Sequence, residues 1–460
     1  MLKNSAAARD VRHLVHGYVE LKAHREKGPS VITAGEGIFV HDENGKPFLE
    51  GAGGMWCTSL GFGESELVDA AVEQMRKLPY YHTVAYKTVN PAIDLAEKLS
   101  AMVPMDDPMI YFALSGSEAN DFLMKFVWYY NNAIGRPQKK KIISRINGYH
   151  GATVGATSLT GIQVNHRAFD LPLPQVLHVA DPNYLHGAQP GETRSEFAER
   201  LARELEETII AAGPETVAAF IAEPVTGAGG VVVPPEPYYA RVQEILAKYD
   251  ILFLDDEVIN GFWRTGNLWG AETMGIQPAT MTLAKGLTSA YQPLSAIVMN
   301  REMYEGMESG SHGLGYFAHG TTYSGHPVAC AVALKVLELM ERRDIGGHVK
   351  KVSQRFAARM DRIAEHPLVG EVRYAGLMGA VELMADKASG RFFDPSLGVG
   401  KRIKERAEEA YQLIIRGLPV GDACAFAPPL IISESEVDDM FDRFEKAVDD
   451  IAGELAREAA

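Results

Sequence analysis

Between Ile251 and Gly266 the sequence reads ILFLDDEVINGFWRTG. The apolar run predicts a buried strand, and three acids, Asp255, Asp256 and Glu257, follow it directly. A carboxylate at the mouth of a buried strand loses hydration and needs a partner. Side chains alternate along a strand, so Asp256 and Val258 share one face while Asp255 and Glu257 take the other. An acid beside a branched apolar group suits a flat heteroaromatic cation, with the acid on a ring nitrogen and the valine on the ring face. An ion pair with Arg264 is the plainer alternative. Asp255 and Glu257 then require structural partners of their own.

Lys285 closes the run Ala279-Thr280-Met281-Thr282-Leu283-Ala284. Buried lysines are scarce. A desolvated lysine has a lowered pKa and becomes an amine nucleophile fit for Schiff-base chemistry, whereas a snorkelling lysine does no such work. After MIYFAL comes Ser115-Gly116-Ser117-Glu118, in which Ser115 and Glu118 have capping-box spacing. Ala119, Phe122, Leu123, Phe126, Val127 and Tyr130 then recur as one helical face. A strand, a small-residue turn and a helix N-terminus make a phosphate seat, although alone they also describe an ordinary cap. Tyr149 and His150 lie between Gly148 and Gly151 after KKIIS, as ring stackers or as core. Taken together, a phosphate seat, an aromatic stacker, an acid for a ring nitrogen and a buried lysine match the needs of pyridoxal 5′-phosphate.

These residues must be set at the ends of strands. Short apolar runs (MIYFAL, KKIIS, VAAFIAEP, ILFLD, SAIVM) alternate with amphipathic helical stretches from about residue 60. Such runs read as strands covered on both faces, hence an α/β fold with a mostly parallel central sheet flanked by helices, whose ligands sit beyond the carboxyl ends of the strands. GIFVHDENGKPFLEG predicts a hairpin turning at Asn44-Gly45. The expected organisation is a large α/β domain over residues 60–330 and a smaller α+β domain assembled from both chain ends, 1–59 and 331–460.

The bulk properties agree. In 460 residues, 46% are apolar and 23% charged, as in a globular protein, and the net charge of −15 without a sustained basic run argues against nucleic acid or an anionic membrane as partner. Three cysteines, Cys57, Cys330 and Cys424, lack metal-ligand spacing and predict neither a disulfide framework nor a metal centre. The N-terminus lacks a signal-peptide core, and no window spans a bilayer, so a cytoplasmic location is expected.

SGSEAN, NGYHG, AEPVTGAGG, LDDEVINGFWRTG, TLAKGL and HGTTYSGHPVA, in this order, resemble the class III aminotransferases of PLP fold type I, from about Gly35 to the C-terminus. Within them the ω-aminotransferases of the amine:pyruvate or β-alanine:pyruvate kind are most similar. The resemblance implies a ping-pong transaminase that passes through pyridoxamine 5′-phosphate and turns pyruvate into alanine. It assigns Lys285 as the Schiff-base lysine and proton shuttle, and Asp256 to the pyridine nitrogen. Val258 and Tyr149 take opposite ring faces, with His150 adjoining, and Glu223 positions the surroundings. Ser115, Gly116 and Ser117 hold the phosphate. Family members are homodimers with sites between subunits, the resemblance leaves open whether dimers here pair into tetramers, and Thr322 would reach the neighbouring subunit's phosphate. Arg416 matches the mobile arginine that pairs with substrate carboxylate, as suits a guanidinium. Ala228 stands where relatives acting on 4-aminobutyrate or ornithine carry glutamate, which favours the pyruvate-using branch. Trp56, Tyr149 and the segment from Tyr81 to Tyr86 are expected to line the substrate pocket, with Val84 and Thr321 replacing frequent phenylalanines. Decarboxylation, an amino shift or 4-aminobutyrate-type transamination to 2-oxoglutarate are the alternatives within the fold. A non-catalytic PLP-binding protein is the alternative outside it.

Overall fold

The computed structural model describes residues 4–458. Fifteen strands appear, in chain order: β1 (Ile32–Glu36), β2 (Phe39–Asp42), β3 (Pro47–Glu50), β4 (Met109–Ala113), β5 (Lys141–Arg145), β6 (Val176–Val179), β7 (Val217–Ala222), β8 (Leu252–Asp256), β9 (Thr280–Leu283), β10 (Ser295–Met299), β11 (Val369–Ala375), β12 (Met378–Leu383), β13 (Leu413–Ile414), β14 (Arg416–Gly417) and β15 (Ala423–Phe426). The central seven-stranded sheet has the order β4-β10-β9-β8-β7-β5-β6. Its strands are parallel except β10, which runs antiparallel to both β4 and β9. Every residue of β7, β9 and β10 is buried, which is why β7 and β10 read as unbroken apolar or small-residue runs, while β9 alternates Thr280 and Thr282 with Met281 and Leu283.

The expected PLP fold type I architecture is thus present. β6 and β9 were not among the strands legible as apolar runs. The β2–β3 hairpin forms, with Gly45 at φ 78°. Its turn is wider than two residues, because the Asp42 carboxylate accepts the Asn44 and Lys46 amides at 2.8 and 2.9 Å and holds the loop itself. β13 pairs in parallel with β3, Leu413 beside Leu49, so a strand from late in the chain completes the N-terminal sheet of order β1-β2-β3-β13. β11, β12, β15 and β14 form a third sheet.

The helix Gly116–Ala133 follows β4 and buries Ala119, Leu123, Phe126, Val127 and Tyr130 on one face, as the sequence periodicity predicts. Phe122 is only partly buried at the margin of that face. The carboxyl ends of β4, β5, β8 and β9 all open on one edge of the sheet. Reversed β10 starts at that same edge, where Ser295 pairs with Ala113 and its hydroxyl donates to the Ser115 carbonyl at 2.8 Å.

Candidate active site

At this edge lies a cavity of about 880 Å³, of the size that encloses small-molecule ligands. Trp56, Ser115, Gly116, Ser117, Tyr149, His150, Glu223, Ala228, Asp256, Val258, Lys285 and Arg416 all line it. Twelve of the sixteen residues singled out in the sequence therefore meet at one place.

The Ser115 hydroxyl caps the helix by accepting the Glu118 amide at 3.1 Å. The expected capping box closes differently, since Glu118 reaches back to the Leu114 amide at 2.6 Å, one residue beyond the usual position. Gly116 and Ser117 stand in the first turn, where amides have no intrahelical acceptor, and they face the cavity. A Cβ on Gly116 would lie 2.8 Å from Val258 Cγ2, so only glycine lets the helix start this close to the end of β8. Gly151, at φ 141°, is similarly confined, because a Cβ there would meet Ser117 Oγ at 2.6 Å. Ser117 Oγ accepts the Ala152 amide at 3.0 Å, which leaves its own proton to donate.

Asp256, 2% exposed, does not pair with Arg264. Its Oδ1 accepts the Val258 amide at 3.0 Å. Its Oδ2 receives Asn120 Nδ2 at 2.7 Å and lies 2.8 Å from His150 Nδ1. A carboxylate offers about four lone-pair positions, so these three partners leave one for a donor in the cavity. Asn120 cannot flip, since its Oδ1 accepts the Thr282 hydroxyl at 2.9 Å while Nδ2 also reaches the His150 carbonyl at 2.8 Å. Asn120 and Thr282 were missed by sequence reasoning, although Asn120 belongs to the quoted SGSEAN motif and points inward from the helix.

The other two acids of the run face away, as the alternation predicts. Glu257 accepts the Gly270 and Ala271 amides at 2.9 and 2.7 Å, at the start of the helix Gly270–Met274. Asp255 is fully buried with no hydrogen-bond donor on either oxygen among the described residues. Burial and the adjacent Glu257 push its carboxyl well above the ordinary range, which favours the neutral acid. Arg264 donates instead to the Leu377 and Pro428 carbonyls at 2.9 and 2.7 Å. Burial pulls its guanidinium down to about 10.

Lys285 sits just past β9 in a short turn, at φ 46°, with its chain half-buried against the cavity. Desolvation lowers its pKa, favouring the neutral amine. Glu223, 1% exposed, accepts the Tyr149 amide at 3.0 Å and the Gly227 amide at 2.9 Å, so it fixes the turn that presents Tyr149. Burial raises its pKa. Arg416 reaches only Met55 Sδ, at 3.2 Å, and its buried Nε has no acceptor among the described residues. Ala228 brings no carboxylate to the cavity.

Val84, Tyr86, Thr321 and Thr322, expected at the substrate pocket and the phosphate, do not line the cavity within this one chain. The reason is a separate anchorage. Tyr80 Oη donates to the Thr322 carbonyl at 2.7 Å, Thr83 Oγ1 to the Ser324 carbonyl at 3.1 Å, and Val84 lies against Gly320. The two segments form one surface patch, on which Tyr86 and Tyr323 are exposed. Conversely, Tyr18 borders the cavity with its hydroxyl 3.4 Å from that of Tyr149, and Lys401 and Lys404 reach it from the helix Val399–Tyr411. No sequence motif marked these three.

Residues 22–448 match the family model of the class-III aminotransferases. The diaminobutyrate–2-oxoglutarate transaminase of Halomonas elongata is 44% identical over 98% of this chain and 97% of its own length. The mitochondrial γ-aminobutyrate transaminase 1 of rice, Oryza sativa, is 46% identical over 90% of this chain and 80% of its own. Among solved structures, the ω-transaminase of Pseudomonas jessenii in complex with PMP superposes with a TM-score of 0.96 at 47% identity, covering 98% of this chain and 99% of that one.

Proposed function

The chain belongs to the class III aminotransferases, enzymes that use pyridoxal 5′-phosphate, and within that family we propose that it carries an amino group from an amine or ω-amino acid donor to pyruvate. The observation that carries this reading is Arg416, a guanidinium in the cavity with no carboxylate partner among the described residues, together with Ala228 where an internal acid would neutralise it.

The cavity fits the cofactor. The Gly116 and Ser117 amides and the Ser117 hydroxyl would hold the phosphate at the positive end of a helix. The remaining lone pair of Asp256 would accept the pyridine N–H, with Val258 and Tyr149 on the two ring faces and His150 and Asn120 keeping the carboxylate aimed. Once bound, the cofactor supplies an electrophilic carbon for the substrate amine and a ring that accepts an electron pair.

The remaining work falls to the chain. Lys285 Nζ, whose pKa desolvation lowers towards the neutral amine, would hold the cofactor and yield to the incoming amine. Freed, Nζ would take the proton from the carbon that bears the substrate nitrogen and hold it beside the cavity. In the second half it moves a proton the opposite way, onto the carbon that becomes Cα of alanine. Arg416 binds the pyruvate carboxylate by a two-pronged hydrogen bond and swings aside for an apolar amine. Trp56 and Tyr149 exclude water around the reacting carbon.

The patch of Val84, Tyr86, Thr321 and Thr322 completes the cavity of a second copy of the chain in a homodimer, with Thr322 at that copy's phosphate. Its exposed aromatic character supports this reading. A second acceptor, 2-oxoglutarate, is favoured by Lys401 and Lys404, which could take its distal carboxylate. The test is the visible spectrum of the holoenzyme, bleached by an amine and then mixed with pyruvate or 2-oxoglutarate. Colour that returns faster with pyruvate, with formation of alanine, supports the proposal. Colour that returns only with 2-oxoglutarate overturns the acceptor, and release of carbon dioxide overturns transamination.

A further inference from the structure

Outside the cavity, three side chains with metal-ligating atoms converge near the N-terminus. Asp10 lies in the helix Ala6–His13, His24 in the helix Leu21–Lys27, and His16 in the connection between them. His16 Nε2 stands 2.9 Å from Asp10 Oδ2, and His24 Nε2 stands 3.2 Å from Asp10 Oδ1. All three ligand atoms lie within 4.8 Å of one another. The two imidazoles are 4.2 Å apart at 32°, both turning the same ring nitrogen to one carboxylate. The His24 side chain is 9% exposed and that of Asp10 16%, so the set is sheltered, while His16, at 30%, leaves a way in. No other side chain hydrogen-bonds these ligand atoms among the described residues.

We propose that Asp10, His16 and His24 form a site for a divalent transition-metal ion of the zinc type, which fastens the N-terminal segment that presents Tyr18 to the cavity. Two imidazole nitrogens and one carboxylate oxygen are the donor set that Zn²⁺ and its first-row neighbours accept, at about 2.0–2.2 Å, with water in the open position. Small rotations of three side chains bring atoms already this close around one ion. A metal would bond both imidazoles through the Nε2 atoms that already face Asp10. Neither Nδ1 meets an acceptor among the described residues, so affinity should fall about 10–100-fold below that of a site with braced imidazoles. The consequence is local: residues 17–23 become a loop closed by the metal between His16 and His24, and Tyr18 lies within it.

The experiment adds Co²⁺ alone to chelator-treated holoenzyme and follows visible d–d bands at wavelengths longer than cofactor absorption, beside Asp10→Asn and His24→Gln. The expected result is saturation at one Co²⁺ per chain in the wild type and at least tenfold weaker binding in both variants, with their cofactor absorption unchanged. Hydrogen exchange of residues 14–24 should slow with Co²⁺ in the wild type only. Wild-type binding no tighter than that of both variants, or the absence of any one-to-one d–d signal, overturns the proposal. Because the readout is metal binding and local exchange, its failure is separate from failure of the acceptor assignment.

Discussion

Replacing Arg416 by alanine separates recognition of carboxylate from the rest of the chemistry. The side chain contributes little to the fold, since it reaches only Met55 Sδ, while the backbone pairing of Arg416 with Ala425 in β14 and β15 survives the change. Stability should therefore shift by less than about 0.5 kcal/mol. Against pyruvate the loss is larger. Removing one side of a desolvated, hydrogen-bonded charge pair costs about 2–5 kcal/mol, and Arg416 is only part-buried, so about 2–3 kcal/mol is the fitting range. That corresponds to about a 30- to 160-fold fall in kcat/KM for pyruvate. An arylalkyl amine has no carboxylate to lose, so its half-reaction, followed as bleaching of the cofactor in single-turnover mixing, should change by less than about threefold, within the effect of a neutral contact. Alanine formation assayed by chromatography gives the pyruvate half. Equal losses in both halves, or no loss with pyruvate, would refute the carboxylate assignment.

Four other perturbations probe the remaining parts. Lys285→Ala should abolish alanine formation from amine and pyruvate, and turnover retained above the buffer background would remove the lysine from its role. Gly116→Ala places a methyl 2.8 Å from Val258 Cγ2, so cofactor affinity, measured by fluorescence titration of the apoprotein, should weaken about fivefold or more for a displacement costing about 1–3 kcal/mol. An unchanged affinity would mean the helix start is not the phosphate seat. If Thr322 serves the neighbouring subunit, mixed dimers of Lys285→Ala and Thr322→Ala chains should recover activity that neither homodimer shows, because one of the two sites then lacks both defects; no recovery beyond the average would place Thr322 in its own chain's site. Asp255 holds a proton in the folded chain that the unfolded chain loses above about pH 4, so wild-type stability falls as pH rises past that point. The advantage of Asp255→Asn in urea unfolding should accordingly grow from about pH 4 to about pH 7, and a pH-independent difference would show Asp255 to be ionised.

Most of the central sheet was legible because strands buried on both faces cannot carry polar alternation, so β5, β7, β8 and the antiparallel β10 announce themselves, and edge strand β4 is apolar throughout. β9 was not, since Thr280 and Thr282 interrupt its apolar character and one of those hydroxyls serves Asn120. The strand ends were legible where a motif concentrates chemistry in a few residues, as at Ser115–Ser117 and Asp256–Val258. Tyr18, Lys401 and Lys404 were not, because their approach to the cavity is decided by contacts between distant segments. Val84, Tyr86 and Thr321 show the converse. Their motifs were recognised, yet they stand away from the cavity within one chain, and no pattern along the sequence fixes that placement.

The run Asp255-Asp256-Glu257 shows how one strand end produces three different acids. Period-two alternation first divides them between faces. Helix-start amides then receive Glu257, which makes its position a device for joining β8 to the following helix. Asp255, on the same side but without donors, relieves its desolvation by keeping its proton rather than by finding a cation. Asp256 alone faces the cavity, and its neighbours Asn120, His150 and the Val258 amide leave one lone pair unclaimed. A cation drawn from the protein would have used that lone pair, and the nearest candidate in sequence, Arg264, is instead consumed by two backbone carbonyls. The remaining lone pair of Asp256 is thus open to a donor that enters the cavity, and the donors already around the carboxylate restrict the side from which it would come.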